Sequence, residues 1–512
     1  VSTRAGRFLK NFGFSLGGQL VIAALNLVFV PMLVHGLGLE TYGLYILLHA
    51  ATNYMSLSVL GAGSSSVKFV AEAAGSKDGR KLRDTLRLSA LLHGLGPVAA
   101  GAALAGAAPW LGVHLFHVGP ELADRAAFVL RCAAAASVFW AASQWASSAL
   151  QGVQRFDAYN VVLMLQSGLG TTGAALLVRA GHGLRAAALW YVAVNALAAA
   201  VALALTWRLV RPVARALPAG SGLAARRFVL YSFSLWLAPM AWIITFQFDK
   251  LFIARAASLT ALTLYAVPAN LLQRLQILPA SIGSVVIPMM SELGSEHHED
   301  LARVYLKTQR FMLWLVLPVL AVLFAVMPQF LGLWLGGEFG GRSVWPARLL
   351  VLAQACYALT TVPNAAAMSR DRPSWMSALA WGQAIVSLVG WRLLIPRWQL
   401  VGVAAASLLA QLIPASAYLE AVHRLLRIGS WRFVTETLAR PAAAAVVLAG
   451  FLLSLHQRAT SWAALAALCA AGGAVYGLAS LALASNEDRQ TLGWVLAKAR
   501  ARRAGSGAKS YN

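Results

Sequence analysis

Apolar runs of 18 to 25 residues follow one another along nearly the whole chain, parted by short polar stretches. Wound as a helix at about 1.5 Å per residue, such a run crosses the roughly 30 Å hydrocarbon core of a bilayer. Fourteen membrane helices are predicted, over 13–34, 41–61, 85–108, 124–149, 158–178, 186–208, 229–249, 262–286, 311–333, 345–367, 376–395, 400–422, 441–456 and 461–483. The thirteenth starts at Pro441, whose missing N–H is harmless in a first helical turn. What lies between the runs is too short for a folded soluble domain. The pattern predicts an all-α polytopic membrane protein.

Composition points the same way. Hydrophobic residues make up 59% of the chain and charged residues 12%, about half the charged share of a soluble domain. That excludes a soluble cytoplasmic enzyme. Cys132, Cys356 and Cys469 all sit inside apolar runs, as packing residues do, and suggest neither a disulfide scaffold nor a metal site.

The net charge of +24 comes from 42 Lys and Arg against 18 Asp and Glu. In a soluble chain it would suggest nucleic acid. Here the basic residues lie mostly in short loops, so no nucleic-acid partner is expected and the charge instead reports orientation. With the N-terminus inside, the inner segments hold 30 basic residues and the outer segments 10, leaving Arg131 and Arg274 deeper in spans. This bias predicts both termini in the cytoplasm and an inner face that meets anionic lipids. Arg4, Arg7 and Lys10 precede a long first run without a clean cleavage site, so a retained helix is expected there.

Three inner linkers are long: 62–84, 209–228 and 287–310. The middle one separates six spans from eight. Phe14-Ser15-Leu16 and Tyr45 are echoed about 220 residues later by Phe233-Ser234-Leu235 and Tyr265. The organisation expected is two six-helix lobes, 1–210 and 229–426, joined by a cytoplasmic linker 211–228. Spans 13 and 14 follow within 436–483, then a basic tail, 484–512, part of which (490–508) is expected on the anionic inner surface.

Charge inside hydrocarbon is expensive and marks candidate function. Arg274 lies near the midplane of span 8, sharing one helical face with Asn270 and Gln273 by i, i+3 and i+4 spacing. That face points either into a wet cavity or toward a structural partner. Arg131 lines a cavity or snorkels outward. Lys68 marks an inner mouth or anchors the helix at the inner surface. Asn26, one of several neutral polar groups in the spans, completes a candidate substrate-binding set of Arg274, Arg131, Gln273, Asn270, Asn26 and Lys68. Asp249 either pairs with Lys250, Arg255 or Arg274, or carries an exchangeable proton. His49 and His93 are packed core residues or proton-coupling groups. Basic residues with few buried acids suit an anion such as a phosphate or pyrophosphate. No phosphate loop, metal cluster or catalytic triad stands out, so no cofactor and no enzyme activity is expected.

Four motifs carry a resemblance. The first is Asn11, Ser15 and Pro31 with Leu37-Gly38-Leu39-Glu40-Thr41-Tyr42-Gly43-Leu44-Tyr45. The second is Leu60-Gly61-Ala62-Gly63, and the third is Gln151-Gly152-Val153-Gln154-Arg155-Phe156 with Asn160. The fourth is Asp249-Lys250-Leu251-Phe252-Ile253 with Leu264-Tyr265-Ala266 and Pro288. Over roughly 11–430 the chain resembles bacterial polysaccharide exporters and O-antigen-type lipid-linked oligosaccharide flippases, relatives of multidrug extruders and lipid II flippases. Thr263 stands where that family usually has glycine.

The resemblance implies transfer of an undecaprenyl-pyrophosphate-linked oligosaccharide from the inner to the outer leaflet of the bacterial cytoplasmic membrane. Two lobes would rock around a cationic cavity, driven by an H+ or Na+ gradient, with a polysaccharide polymerase and assembly proteins as partners. It places Arg274 as a lumen arginine and Arg131 as a looser match. The alternatives are a cation-coupled multidrug extruder of the same architecture, expected to hold a buried acid, and an integral polymerase or glycosyltransferase. The latter would need a larger outer loop than 109–123.

Overall fold

Helices supply every regular element among the described residues of the computed structural model, which are 21–116, 118–218, 220, 222–292 and 298–485. The helices are α1 (Val21–Leu37), α2 (Leu39–Met55), α3 (Ala62–Gly75), α4 (Gly79–Trp110), α5 (Pro120–Gly152), α6 (Phe156–Met164) and α7 (Gly170–Arg179). Then come α8 (Gly183–Leu209), α9 (Arg211–Ala216), α10 (Ala225–Ala256), α11 (Leu259–Gln273), α12 (Ile277–Glu292) and α13 (His298–Leu335). The last are α14 (Gly337–Arg342), α15 (Val344–Ser369), α16 (Pro373–Leu426), α17 (Ser430–Phe433), α18 (Ala439–Leu455) and α19 (Trp462–Leu483). The basic N-terminal segment, positions 293–297 of the acidic inner linker and the tail 490–508 lie outside the described residues.

Among the described residues, ten helical runs are long and apolar enough to cross a membrane, and α1 is a shorter apolar helix. A helix suits hydrocarbon because it satisfies its own backbone groups. Side-chain oxygens cap three starts: Asp78 accepts from the Lys81 N–H at 2.8 Å, Ser258 from Ala261 at 3.0 Å and Ser461 from Ala464 at 3.2 Å.

At 54 residues α16 would be about 80 Å long if straight. It is not: Gln399 has φ 47° and ψ −122°, outside helical space. The chain doubles back there. Gly402 lies against Leu394, Gly390 against Ala406, and Gln383 hydrogen-bonds Gln411 at 3.0 Å. Pairs progressively farther apart about one point define an antiparallel hairpin. Its arms correspond to the spans predicted over 376–395 and 400–422.

One expectation needs correction. Span 8 is not one helix, because α11 and α12 are parted by a 3₁₀ turn, Arg274–Gln276. Pro279 has no N–H for the Leu275 carbonyl and its ring crowds it, so it fits the first turn of a new helix and not an uninterrupted one. The linker 62–84 is largely helical, as α3 and the start of α4. The linker 209–228 is held against α4 by three hydrogen bonds. Gly79 N–H donates to Pro218 O (2.8 Å), Arg83 Nη1 to Ala214 O (2.8 Å), and Leu223 N–H to Asp84 Oδ2 (3.3 Å).

The chain forms two compact units. One takes in the chain up to Arg274 with Met376–Ile413; the other takes in Leu275–Trp375 with the chain from Pro414. In the first, α5 packs on α4, α8 and α2, and α2 on α11. Gly38, at φ 75°, turns the chain between α1 and α2. Gly43 lets α2 meet the start of α11, since a Cβ there would strike the Leu259 backbone. Thr263 is fully buried and donates to the Leu39 carbonyl at 2.7 Å, tying the same two helices. In the second unit, α13, α18 and α19 share a core of Ala325, Val326, Leu448, Leu452, Ala459 and Leu465. Tyr476 Oη donates to the Trp314 carbonyl there at 2.8 Å.

Candidate functional site

Arg274 opens the 3₁₀ turn directly after α11. It is exposed. Asn270 is exposed and Gln273 half-buried, while Leu272 between them is buried. Asn270, Gln273 and Arg274 are thus all at least partly accessible, and they sit where the helix breaks. A mid-helix 3₁₀ turn often marks a functional hinge. No described residue hydrogen-bonds or ion-pairs with the side chain of Asn270, Gln273 or Arg274. The group offers a guanidinium fork and two amides to an incoming ligand.

The other candidates are not gathered around this group. Asn26 donates to the Ile22 carbonyl of its own helix at 2.9 Å and accepts from Thr171 at 3.2 Å, so both ends of its amide are engaged, the second in joining α1 to α7. Lys68 is exposed on α3, with its ammonium 3.6 Å from the Tyr231 ring centroid, a cation–π seat. Nearby, Glu72 pairs with Lys81 at 2.6 Å and Arg227 at 3.8 Å. The Lys81 hydrogen bond holds the Glu72 carboxyl below its ordinary range. Arg131 is exposed on α5, and no described residue pairs with it.

Asp249 differs from its expected place at the outer end of a span. Helix α10 runs on to Ala256, and Asp249 is 5% exposed. Lys250, counted from sequence among outer-segment charges, is 4% exposed beside it. The two form an ion pair, Nζ to Oδ1, at 3.6 Å. The Lys250 ammonium also donates to the Gln247 Oε1 at 2.9 Å and the Phe246 carbonyl at 3.2 Å. Tyr265 from α11 stands beside Asp249, and its hydroxyl lies 3.5 Å from the Ser407 hydroxyl of α16. Tyr54 from α2 donates to the Gln247 carbonyl at 2.7 Å. Four helices thus meet at one buried polar cluster. Gln247, Tyr265, Ser407 and Tyr54 were not foreseen as its members. Only Gln247, one turn before Lys250, was within reach of sequence spacing.

The two histidines are packed differently. His49 packs between Tyr45, edge-on, and Tyr191, tilted, at 4.9 and 4.3 Å between ring centroids. His93 is 3% exposed, and its Nδ1 lies 2.8 Å from the Ser89 carbonyl. Ser89 in turn hydrogen-bonds Ser66.

Residues 8–294, more than half of the chain, match the profile of a family described as polysaccharide biosynthesis protein. The chain belongs to that family. This member of the polysaccharide biosynthesis family also resembles solved structures over most of its length. It superposes on the lipid II flippase MurJ, inward closed conformation, with TM-score 0.70 at 11% identity, covering 91% of this chain and 97% of that one. An inward-facing multidrug resistance MATE transporter of the MOP superfamily gives TM-score 0.65 at 15% identity, with 79% and 94% covered. A MOP superfamily transporter from Pyrococcus furiosus, whose title reports a binding pocket of reversed polarity, gives 0.55 at 15%, with 81% and 94% covered. At these identities the likeness is one of fold. No curated protein matches. Family and fold together make the chain a polysaccharide biosynthesis family protein with the helical fold shared by MurJ and MATE proteins.

Proposed function

We propose that this protein is a flippase. It carries an undecaprenyl-pyrophosphate-linked oligosaccharide from the inner to the outer leaflet of the bacterial cytoplasmic membrane by alternating access. The observation that carries this is Arg274, standing with Asn270 and Gln273 where α11 ends, without a carboxylate partner among the described residues. A cation at that depth calls for an anion, and a pyrophosphate matches the guanidinium fork in charge and geometry. Membership of the polysaccharide biosynthesis family supports the glycan part. The prenyl tail stays in lipid, and no bond is made or broken. Arg131, Lys68 and Asn26 remain secondary members of the proposed path.

The proposal includes fourteen crossings. The ten long runs are taken with α16 counted twice for its hairpin, plus α1, α2 and the interrupted α11–α12. Both termini then face the cytoplasm, as the charge bias requires. The lobes proposed are 1–210 and 229–426, followed by the pair of spans within 436–483. An H+ or Na+ gradient drives the cycle, and anionic lipids, a polymerase and assembly proteins are the expected partners. A multidrug extruder of this fold would be expected to present a free buried acid to a cationic drug, whereas Asp249 is already paired with Lys250.

Reconstitution tests the proposal. Proteoliposomes loaded with a fluorescent polyprenyl-pyrophosphate oligosaccharide should expose its glycan to an external glycosidase faster than protein-free vesicles. They should not move a lipophilic cationic dye under an imposed H+ or Na+ gradient. Dye transport without glycan exposure would replace the flippase by the extruder.

A further inference from the structure

The buried cluster on α10 has the donors of a cation site, and its cation belongs to the chain. An ammonium has three N–H donors. Around Lys250 Nζ stand three oxygens of different kinds: the Phe246 carbonyl at 3.2 Å, the Gln247 amide oxygen at 2.9 Å and the Asp249 carboxylate at 3.6 Å. Two of its protons have hydrogen-bond acceptors, and the carboxylate stands at ion-pair distance. The Asp249 carboxylate is held from another direction as well, by the Lys250 backbone N–H at 2.8 Å. The Tyr54 hydroxyl braces the Gln247 carbonyl from α2. Apolar packing of Ala241, Ile244 and Ala384 closes over the same stretch of α10.

A carboxylate, an amide oxygen and a main-chain carbonyl converging on one point are the hard oxygen ligands that a small metal cation takes. Charge at the site is already balanced, one carboxylate against one ammonium. Adding a free alkali ion would leave a net positive charge away from water, which is strongly unfavourable.

We propose that Lys250 is a tethered counter-cation: its ammonium stands where a free monovalent cation would otherwise bind, and so closes this site to Na+. Asp249 is then neutralised without an ion from solution. The claim concerns this site alone and holds whichever substrate is carried, so it fails separately from the flippase proposal.

The test is thermal unfolding of the purified full-length protein in NaCl, LiCl, KCl and choline chloride at equal ionic strength. The wild type should show no saturable Na+ or Li+ response that Asp249→Asn/Lys250→Met lacks. Lys250→Ala keeps the oxygens and removes the ammonium. It should unfold earlier in choline and recover saturably in Na+ or Li+, by about 2–4 °C or more. Adding Asp249→Asn to Lys250→Ala should abolish that recovery. If Lys250→Ala is not obtained folded, Lys250→Gln, closer in length, is measured the same way. A folded Lys250 variant with one melting temperature in all four salts would overturn the proposal. So would a saturable Na+ response of the wild type that Asp249→Asn/Lys250→Met removes.

Discussion

The Gln383 side chain donates to the Gln411 side chain at 3.0 Å, joining the two arms of α16 across 28 intervening steps of chain. Both residues are buried. Gln383→Leu should leave the Gln411 oxygen without its donor. The expected loss is about 0.6–2 kcal/mol, the range of interhelical hydrogen bonds in membranes. The double variant Gln383→Leu/Gln411→Leu should recover most of it, because neither polar group is then stranded. A double-mutant cycle of melting temperatures checks this. Additive losses would mean that the two amides do not interact.

The tip of the same hairpin offers an independent check. Gln399 is exposed and adopts φ 47°. Glycine accepts that conformation without the steric penalty of a side chain. Gln399→Gly should therefore leave the fold intact and stabilise it by about 1 kcal/mol, while Gln399→Val should destabilise it. Equal melting temperatures for both variants would contradict a strained reversal at this position.

Arg274 separates headgroup binding from structural support. Arg274→Ala should abolish surface-glycan export while the protein still inserts at normal level. Arg274→Lys should keep partial export, since charge survives without the bidentate fork. Arg274→Glu should be the most damaging. Complementation of glycan export, with membrane levels of each variant quantified, checks the series. Normal export by the Ala variant at normal level would end the assignment.

Asp249 is buried with Lys250, so Asp249→Asn leaves an uncompensated ammonium in the interior. Breaking one side of such a pair costs about 3–5 kcal/mol. Folded yield should fall sharply. Asp249→Asn/Lys250→Met should recover yield, because no lone charge remains. Size-exclusion profiles and melting curves of the two variants decide it. A well-folded single variant as stable as the wild type would show that the pair is not structurally required.

Orientation is open to cysteine labelling in intact cells. Single cysteines at 75, 220 and 300 should react only after permeabilisation. Those at 115, 180 and 338 should react from outside. Labelling of position 220 from outside would dismantle the fourteen-span topology.

Much of the architecture was legible because membrane helices are written in length and hydropathy. The arms of α16 fall where the apolar runs over 376–395 and 400–422 ended and began, parted by Pro396-Arg397-Trp398-Gln399. The face made by Asn270, Gln273 and Arg274 was legible too, since i, i+3, i+4 spacing is a local property. Span 8 went wrong because hydropathy averages over the break at Arg274–Gln276, although Pro279 lay in plain view. Asn26 and Lys68 were ambiguous because polar side chains look alike until their partners are known. Thr171 satisfies the first and the Tyr231 ring seats the second.

Sequence by itself determined the environment of this protein and the sign of its charge. An apolar run must be buried in lipid or protein wherever it falls, and lysine and arginine bias orientation through their number in each loop. Tertiary structure alone decided which polar groups are free and which are committed. Asp249 and Lys250 are adjacent in any reading, yet only the folding of α2, α11 and α16 against α10 brings Tyr54, Tyr265 and Ser407 to them. Local spacing cannot report that meeting, because it depends on contacts between residues as far apart as 193 positions. The same contacts separate a buried, paired charge from one such as Arg274, whose guanidinium no described residue pairs with.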